Sequence, residues 1–191
     1  MKSLEEKILC EGTVLDGGVL KVGSFLNQQI DTKFLGEMGE EIARLYSDCE
    51  ITKILTVEAS GIAIAAAAGL SIGVPMVFAK KSKTVNVSGE TYCAKVYSFT
   101  HKVENTILVP KSYISPEDKI LIVDDFLAMG EAFEGLISIC EQAGASVVGC
   151  TAAVEKGFQG GGDRLRSRGI RVHSLAVIDD MSNGVIKFRE I

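Results

Sequence analysis

One stretch constrains this chain more than any other: residues 120–132, which run Ile-Leu-Ile-Val-Asp-Asp-Phe-Leu-Ala-Met-Gly-Glu-Ala. An apolar strand ends on two adjacent acids, Asp124 and Asp125. A short loop with small residues follows, then a helix whose apolar stripe is Phe133, Leu136, Ile137 and Cys140. The start of such a helix offers unpaired backbone N–H groups and the positive end of a dipole, which suits a phosphate. Ala128 and Gly130 let the backbone approach it closely, and two carboxylates at a strand end can accept hydrogen bonds from two ribose hydroxyls. The order therefore matches a ribose 5-phosphate. A lone acidic pair would more often just close a strand; the complete strand–acid–acid–loop–helix order gives this one its chemical reading. No G-x-x-x-x-G-K-[ST] occurs, and no G-x-G-x-x-G follows a strand.

The rest of the chain places that unit in a sheet. Strands are expected at 54–57, 74–79, 119–123, 147–154, 172–177 and 185–188, with helices at 62–71, about 130–142 (ending at Gly144) and, more weakly, 164–168. Two further strands, 91–100 and 106–109, flank the polar stretch 101–105 as a hairpin. Ahead of these, Ser3 and Glu6 form a capping box for a first helix. Turn residues Asp16, Gly17 and Gly18 divide the apolar stretch 14–22 into short extended pieces. From 32 to 48 the residues Phe34, Leu35, Met38, Ile42, Leu45 and Tyr46 share one helical face. Strand–helix alternation predicts a single α/β domain over 1–191, a mostly parallel central sheet flanked by helices, with the hairpin and the N-terminal pieces added to it. Ligands of such sheets sit beyond the carboxyl ends of the strands, so the loops after Val57, Ala79, Val123 and Val154 carry the interest.

Charge and composition exclude several classes. Twenty Lys+Arg against 25 Asp+Glu give a net charge of −5, which argues against a nucleic-acid partner. Five cysteines are spread without a C-x-x-C, and His101 and His173 stand far from any of them. Neither zinc nor a disulfide framework is expected, and a reducing compartment fits. Both histidines are expected to be structural or exposed. The acids among the first residues do not suit a signal peptide. Residues 62–79 carry no charge, but Ala, Gly73 and Pro75 point to a helix followed by a strand rather than to a membrane span.

The 120–132 run resembles the signature of type I phosphoribosyltransferases. Val19-Leu20-Lys21-Val22, Ser24-Phe25-Leu26-Asn27-Gln28-Gln29-Ile30-Asp31, Val96-Tyr97-Ser98-Phe99-Thr100 and Glu155-Lys156-Gly157-Phe158-Gln159 extend the likeness to the bacterial xanthine-using members over nearly the whole chain. The resemblance implies the type I fold with a small hood, from about 13–30 and the C-terminal segment, and a β-hairpin addition. It implies conversion of xanthine and phosphoribosyl pyrophosphate (PRPP) to xanthosine 5'-monophosphate and pyrophosphate in purine salvage, by a cytoplasmic homodimer. Magnesium is expected mainly through PRPP, without protein metal ligands.

Carried over residue by residue, Asp124 and Asp125 hold the ribose. Ala128, Met129, Gly130, Glu131 and Ala132 bind the 5-phosphate, and Leu20, Asn27 and Lys156 surround the xanthine. Two departures stand out: Ala132 lacks the hydroxyl common in the wider superfamily, and Met129 replaces the Asn of the xanthine enzymes. Glu131 places a charge near a phosphate and is expected to point to solvent.

Ser60 and Gly61, after a strand, fit equally a capped helix or a pyrophosphate cradle; the resemblance favours the cradle. Lys81 is the expected pyrophosphate cation, while Lys83 fits a solvated loop. Lys156 suits the 6-oxo group of a purine; its bland alternative is a surface lysine paired with Glu155. Asn27 suits the 2-oxo group, or else caps the helix at Thr32. Phe158 could stack on a base but as well be core. The polar stretch 80–90 suits a lid that excludes water. A guanine or hypoxanthine enzyme, or a non-catalytic PRPP-sensing regulator, are the alternative functions.

Overall fold

A computed structural model describes residues 1–15, 17–81, 89–98 and 103–190. Its centre is a six-stranded sheet of β3 (Lys53–Val57), β4 (Met76–Ala79), β7 (Lys119–Leu127), β8 (Ser146–Lys156), β9 (Val172–Asp180) and β10 (Lys187–Phe188). The order is β10-β9-β8-β7-β3-β4. Neighbours run parallel throughout, except that β10 lies antiparallel on the β9 edge. A parallel sheet must be covered on both faces, and two apolar clusters do this. On one face, α1 (Lys2–Glu11), α2 (Thr32–Leu45) and α3 (Gly61–Ile72) bury Leu4, Ile8, Phe34, Met38, Ile42, Ile64 and Ala68 against Ile54, Leu121 and Leu175. On the other, α4 (Glu131–Ala143) and α5 (Gly161–Ser167) bury Phe133, Leu136, Cys140 and Leu165 against Leu55, Ile120, Ile122 and Cys150.

The helices end where glycine allows it. Gly73 and Gly144 take left-handed backbone (φ 84° and 73°) after α3 and α4, the conformation that stops a helix cheaply. Two two-stranded pieces sit outside the sheet. β1 (Thr13–Leu15) and β2 (Val19–Lys21) form an antiparallel ribbon around Gly17 and Gly18, and a π-helical turn (Gly23–Asn27) follows it. β5 (Thr91–Ser98) and β6 (Val103–Pro110) make the expected hairpin. Lys80 ties that hairpin to the β4 edge by exchanging backbone bonds with Leu108, both 2.9 Å long.

Most element ends shift by up to three residues, and the structure corrects the sequence-based elements more deeply in two places. The first helix begins at Lys2 with Met1 as its cap, and no side chain caps it, so Ser3 lies inside the first turn and makes no capping box. The Met1 backbone nitrogen donates instead to the Leu175 carbonyl on β9. The strand through the acidic pair does not stop at Val123 but runs to Leu127. β8 is eleven residues long and supplies partners for the extension, pairing Asp124 with Ala152, Phe126 with Val154 and Leu127 with Glu155. The tip of the hairpin, with His101, and most of the 80–90 stretch, with Lys83, lie outside the described residues.

Candidate active site

A cavity of about 550 Å³ opens at the carboxyl ends of β3, β4, β7 and β8. Its floor and walls are Val57, Glu58 and Ser60 after β3, Lys81 after β4, Asp124 and Phe126 on β7, the loop from Ala128 to Ala132, and Lys156 at the end of β8. The turn at Gly17 and Gly18 overhangs it from one side, and Val96, Tyr97, Asn105 and Ile107 of the hairpin from the other. Most of the residues singled out in the sequence therefore meet in one place. Leu20 does not: its side chain is buried in the apolar cluster under the ribbon, with Val22 and Phe25.

The two acids have different surroundings. Asp124 is 5% exposed and lines the cavity. Its Oδ1 accepts from the Asp125 backbone N–H at 2.9 Å. Burial holds its carboxyl well above the usual range, and the neighbouring Asp125 charge pushes the same way. A Cβ on Gly61 would stand 2.3 Å from both Asp124 Oδ1 and Thr56 Oγ1, so only glycine lets α3 begin against this acid. Asp125 turns to the hood and to α3: its Oδ1 accepts from Ser60 Oγ at 3.0 Å and its Oδ2 from Asn27 Nδ2 at 3.1 Å. Ser60 thus makes no cap for α3, and Asn27 caps nothing either; Asp31 caps α2 by accepting from the Phe34 N–H at 3.1 Å.

The loop from Ala128 to Ala132 is shaped by Gly130, whose φ of 84° requires glycine. No side chain caps α4, so the N–H groups of its first turn face the cavity end of the helix without an intrahelical acceptor. The loop is braced from behind. Gly161 donates its N–H to the Ala128 carbonyl at 3.2 Å, and a Cβ there would come within 2.3 Å of that oxygen. Arg164 on α5 donates to the Met129 carbonyl and lies 3.6 Å from Glu131 Oε1. Glu131 is half-buried against this arginine rather than simply directed to solvent.

Glu58 Oε1 accepts from the Lys81 N–H at 2.7 Å, which joins the loops after β3 and β4. Lys156 faces the cavity, donating from Nζ to the Gly18 carbonyl at 2.9 Å and lying 5.6 Å from the centre of the Phe126 ring. Burial lowers its pKa from the usual lysine range. It is not a partner of Glu155. That residue is fully buried on the opposite side, where Arg166 grips it with two bonds of 2.8 and 2.7 Å and Ser174 adds a third at 2.6 Å. His173 stacks edge-on against Tyr46 and accepts from Arg171, a structural place.

No family model matches the chain. Full-length relatives do. The xanthine phosphoribosyltransferase of Moorella thermoacetica is 54% identical over 185 residues, 97% of this chain and 94% of that protein. Those of Oceanobacillus iheyensis and Bifidobacterium longum subsp. infantis are 48% and 51% identical, covering 98% and 100% of the relatives. This chain belongs to the xanthine phosphoribosyltransferase family. Solved structures agree on the fold: the adenine phosphoribosyltransferase of Thermoanaerobacter pseudethanolicus superposes with a TM-score of 0.75 over 91% of this chain at 21% identity. The Giardia lamblia enzyme, complexed with 9-deazaadenine, gives 0.76 over the same share.

Around this cavity, several contributors escaped the sequence. Phe126 was read as a loop residue, yet it lies under Lys156. The hairpin residues came to the cavity from a distant part of the chain. The glycines at 160–162 carried a signal, three in a row where a helix begins, but only the contact with Ala128 shows what they brace.

Proposed function

We propose that this protein transfers the phosphoribosyl group of PRPP to xanthine, releasing pyrophosphate and forming xanthosine 5'-monophosphate for purine salvage. The observation that supports this best is the meeting of Asp124, the loop from Ala128 to Ala132, Ser60, Lys81 and Lys156 around one cavity. The loop and the first turn of α4 would take the 5-phosphate. Asp124 would hold the ribose hydroxyls, joined by Asp125 when Ser60 or Asn27 releases it. Ser60, Gly61 and Lys81 would receive the diphosphate. Lys156 would donate to the 6-oxo group of the base, with Asn27 approaching from the hood and Leu20 packed in the hood core behind it.

In this chemistry the bond from the anomeric carbon to the diphosphate breaks, its electron pair leaves with the pyrophosphate, and a purine nitrogen forms the new bond. The protein need only position the partners, stabilise the leaving charge and exclude water. Among the described residues no group of three metal-type side chains converges. The cavity leaves room for magnesium held by the oxygens of PRPP and by water rather than by side chains. Bound through the oxygens of PRPP, magnesium would neutralise charge on the leaving diphosphate. A cytoplasmic homodimer would suit this role. Among the described residues no helix is long and apolar enough to cross a membrane.

Lys156→Met tests the base pocket. Loss of a charged hydrogen bond should cut kcat/KM for xanthine roughly 10- to 100-fold, with the KM for PRPP little changed. Unaltered xanthine turnover, measured as pyrophosphate release, would remove Lys156 from the pocket.

A further inference from the structure

The phosphate loop of this chain carries an acid of its own. Glu131 is the first residue of α4, at the point where the loop would meet an anionic group. A carboxylate there opposes a phosphate by simple repulsion. The structure answers with a second charge from a different element. Arg164, on α5, places Nη2 3.6 Å from Glu131 Oε1 and donates from the same group to the carbonyl of Met129. The other acid of the first turn, Glu134, is matched separately: Arg168 donates to its Oε2, with Arg164 Nε 3.8 Å from its Oε1. The two acids therefore face two arginines, and the arginine over Glu131 is fixed to the loop's own backbone.

The position of Arg164 is itself built. Gly160 and Gly161 bring α5 against the loop, with the Arg164 N–H bonded to the Gly160 carbonyl at 3.0 Å and Gly161 to the Ala128 carbonyl. Two residues on, about half a turn of the helix, Arg166 anchors α5 to the buried Glu155. Arg166 thus points into the molecule and Arg164 over the phosphate loop.

We propose that Arg164 is a positioning residue for the 5-phosphate site: it neutralises Glu131 and holds the Met129 carbonyl, and so allows an acid in a loop that binds an anion. This rests on the phosphoribosyltransferase function proposed above. Without Arg164 the uncompensated charge of Glu131 should repel the phosphate; without both side chains the balance returns. Arg164 and Glu131 are partly exposed (43% and 36% of their side-chain surface), so the effect is moderate and screened by salt.

The test is equilibrium binding of ribose 5-phosphate by calorimetry, which reads the loop independently of turnover. Arg164→Ala should weaken binding about tenfold at low salt, a gap that narrows at about 1 M NaCl, where the screening length falls to about 3 Å. The double variant Arg164→Ala with Glu131→Gln should recover most of the affinity. In turnover the single variant should raise the KM for PRPP and leave that for xanthine unchanged. Equal affinity of Arg164→Ala and wild type, or a double variant as weak as the single one, would overturn the proposal while leaving the enzymatic function intact. Wild-type protein that fails to bind ribose 5-phosphate would overturn it together with the assignment of the loop, and wild-type binding without turnover of any base would count against the enzymatic function alone.

Discussion

Asp124 is an acid kept where ionisation is costly. Its carboxyl is buried beside Asp125 and Gly61, and its pKa lies well above the ordinary carboxylate range. The folded state therefore keeps a proton that the unfolded chain has already released. Stability falls as pH rises from the ordinary carboxyl range, about 4, through the raised pKa. Asp124→Asn keeps the oxygen that accepts from the Asp125 N–H and removes the charge. At neutral pH it should raise Tm by about 3 °C, the size expected of about 1 kcal/mol in a domain of this length, and the gain should vanish near pH 4. Turnover should be lost in the same variant, because a strained site trades stability for chemistry. Thermal scans from pH 4 to 8 measure this; a variant less stable than wild type at pH 8 would refute the account of Asp124.

Residues of this kind were legible in the sequence because they stand in a local order. What the order could not show is direction. Asp124 and Asp125 read as an equivalent pair, but one lines the cavity and the other binds Ser60 and Asn27. Leu20 read as a pocket residue because it lies beside Lys21 and Val22 in a familiar run. Its place in the hood core follows from packing in an apolar cluster that also takes in Phe25, close by in the chain, and Leu175 and Met181 from its far end.

At the scale of elements, helices and strands with a strong apolar period were the easiest to read, and their ends the hardest. β7 was cut short at its acids because carboxylates are rare in buried strands; only the length of β8 shows that the ladder continues. α5 read as a weak helix over 164–168, but it begins earlier, at Gly161, where glycines disfavour a helix. Its stability comes instead from the Glu155–Arg166 pair and from Leu165, fully buried under it. Gly162 is required there, as a Cβ would come within 2.1 Å of Glu155 Oε1. Removing Arg166 leaves Glu155 buried without its cation, a far worse state than losing both. Arg166→Met should therefore cost about 2–3 kcal/mol in urea unfolding, less than a fully buried pair because the arginine is one-third exposed. The pair variant with Glu155→Met should regain much of that. Equal losses in the single and double variants would show that the pair does not anchor α5.

For the whole molecule, the parallel sheet explains why one cavity can draw on so many segments. Loops after β3, β4, β7 and β8 end on one edge, which the strand–helix alternation predicted. The ribbon at Gly17 and the hairpin at Val96 close over that edge from opposite sides, and this was not legible: neither segment carries a period that tells where it docks. The proposed base pocket depends on this closure. Lys156 is placed between Phe126 and the overhanging turn, where a base would lie. A donor there favours purines with a 6-oxo group over adenine, whose amino group accepts nothing from it.

The most direct measurement is pyrophosphate release by the purified protein with magnesium, PRPP and each of xanthine, guanine, hypoxanthine and adenine. Xanthine should have the highest kcat/KM and adenine no measurable turnover. Turnover fastest with adenine, or absent with all four bases, would contradict the proposed function.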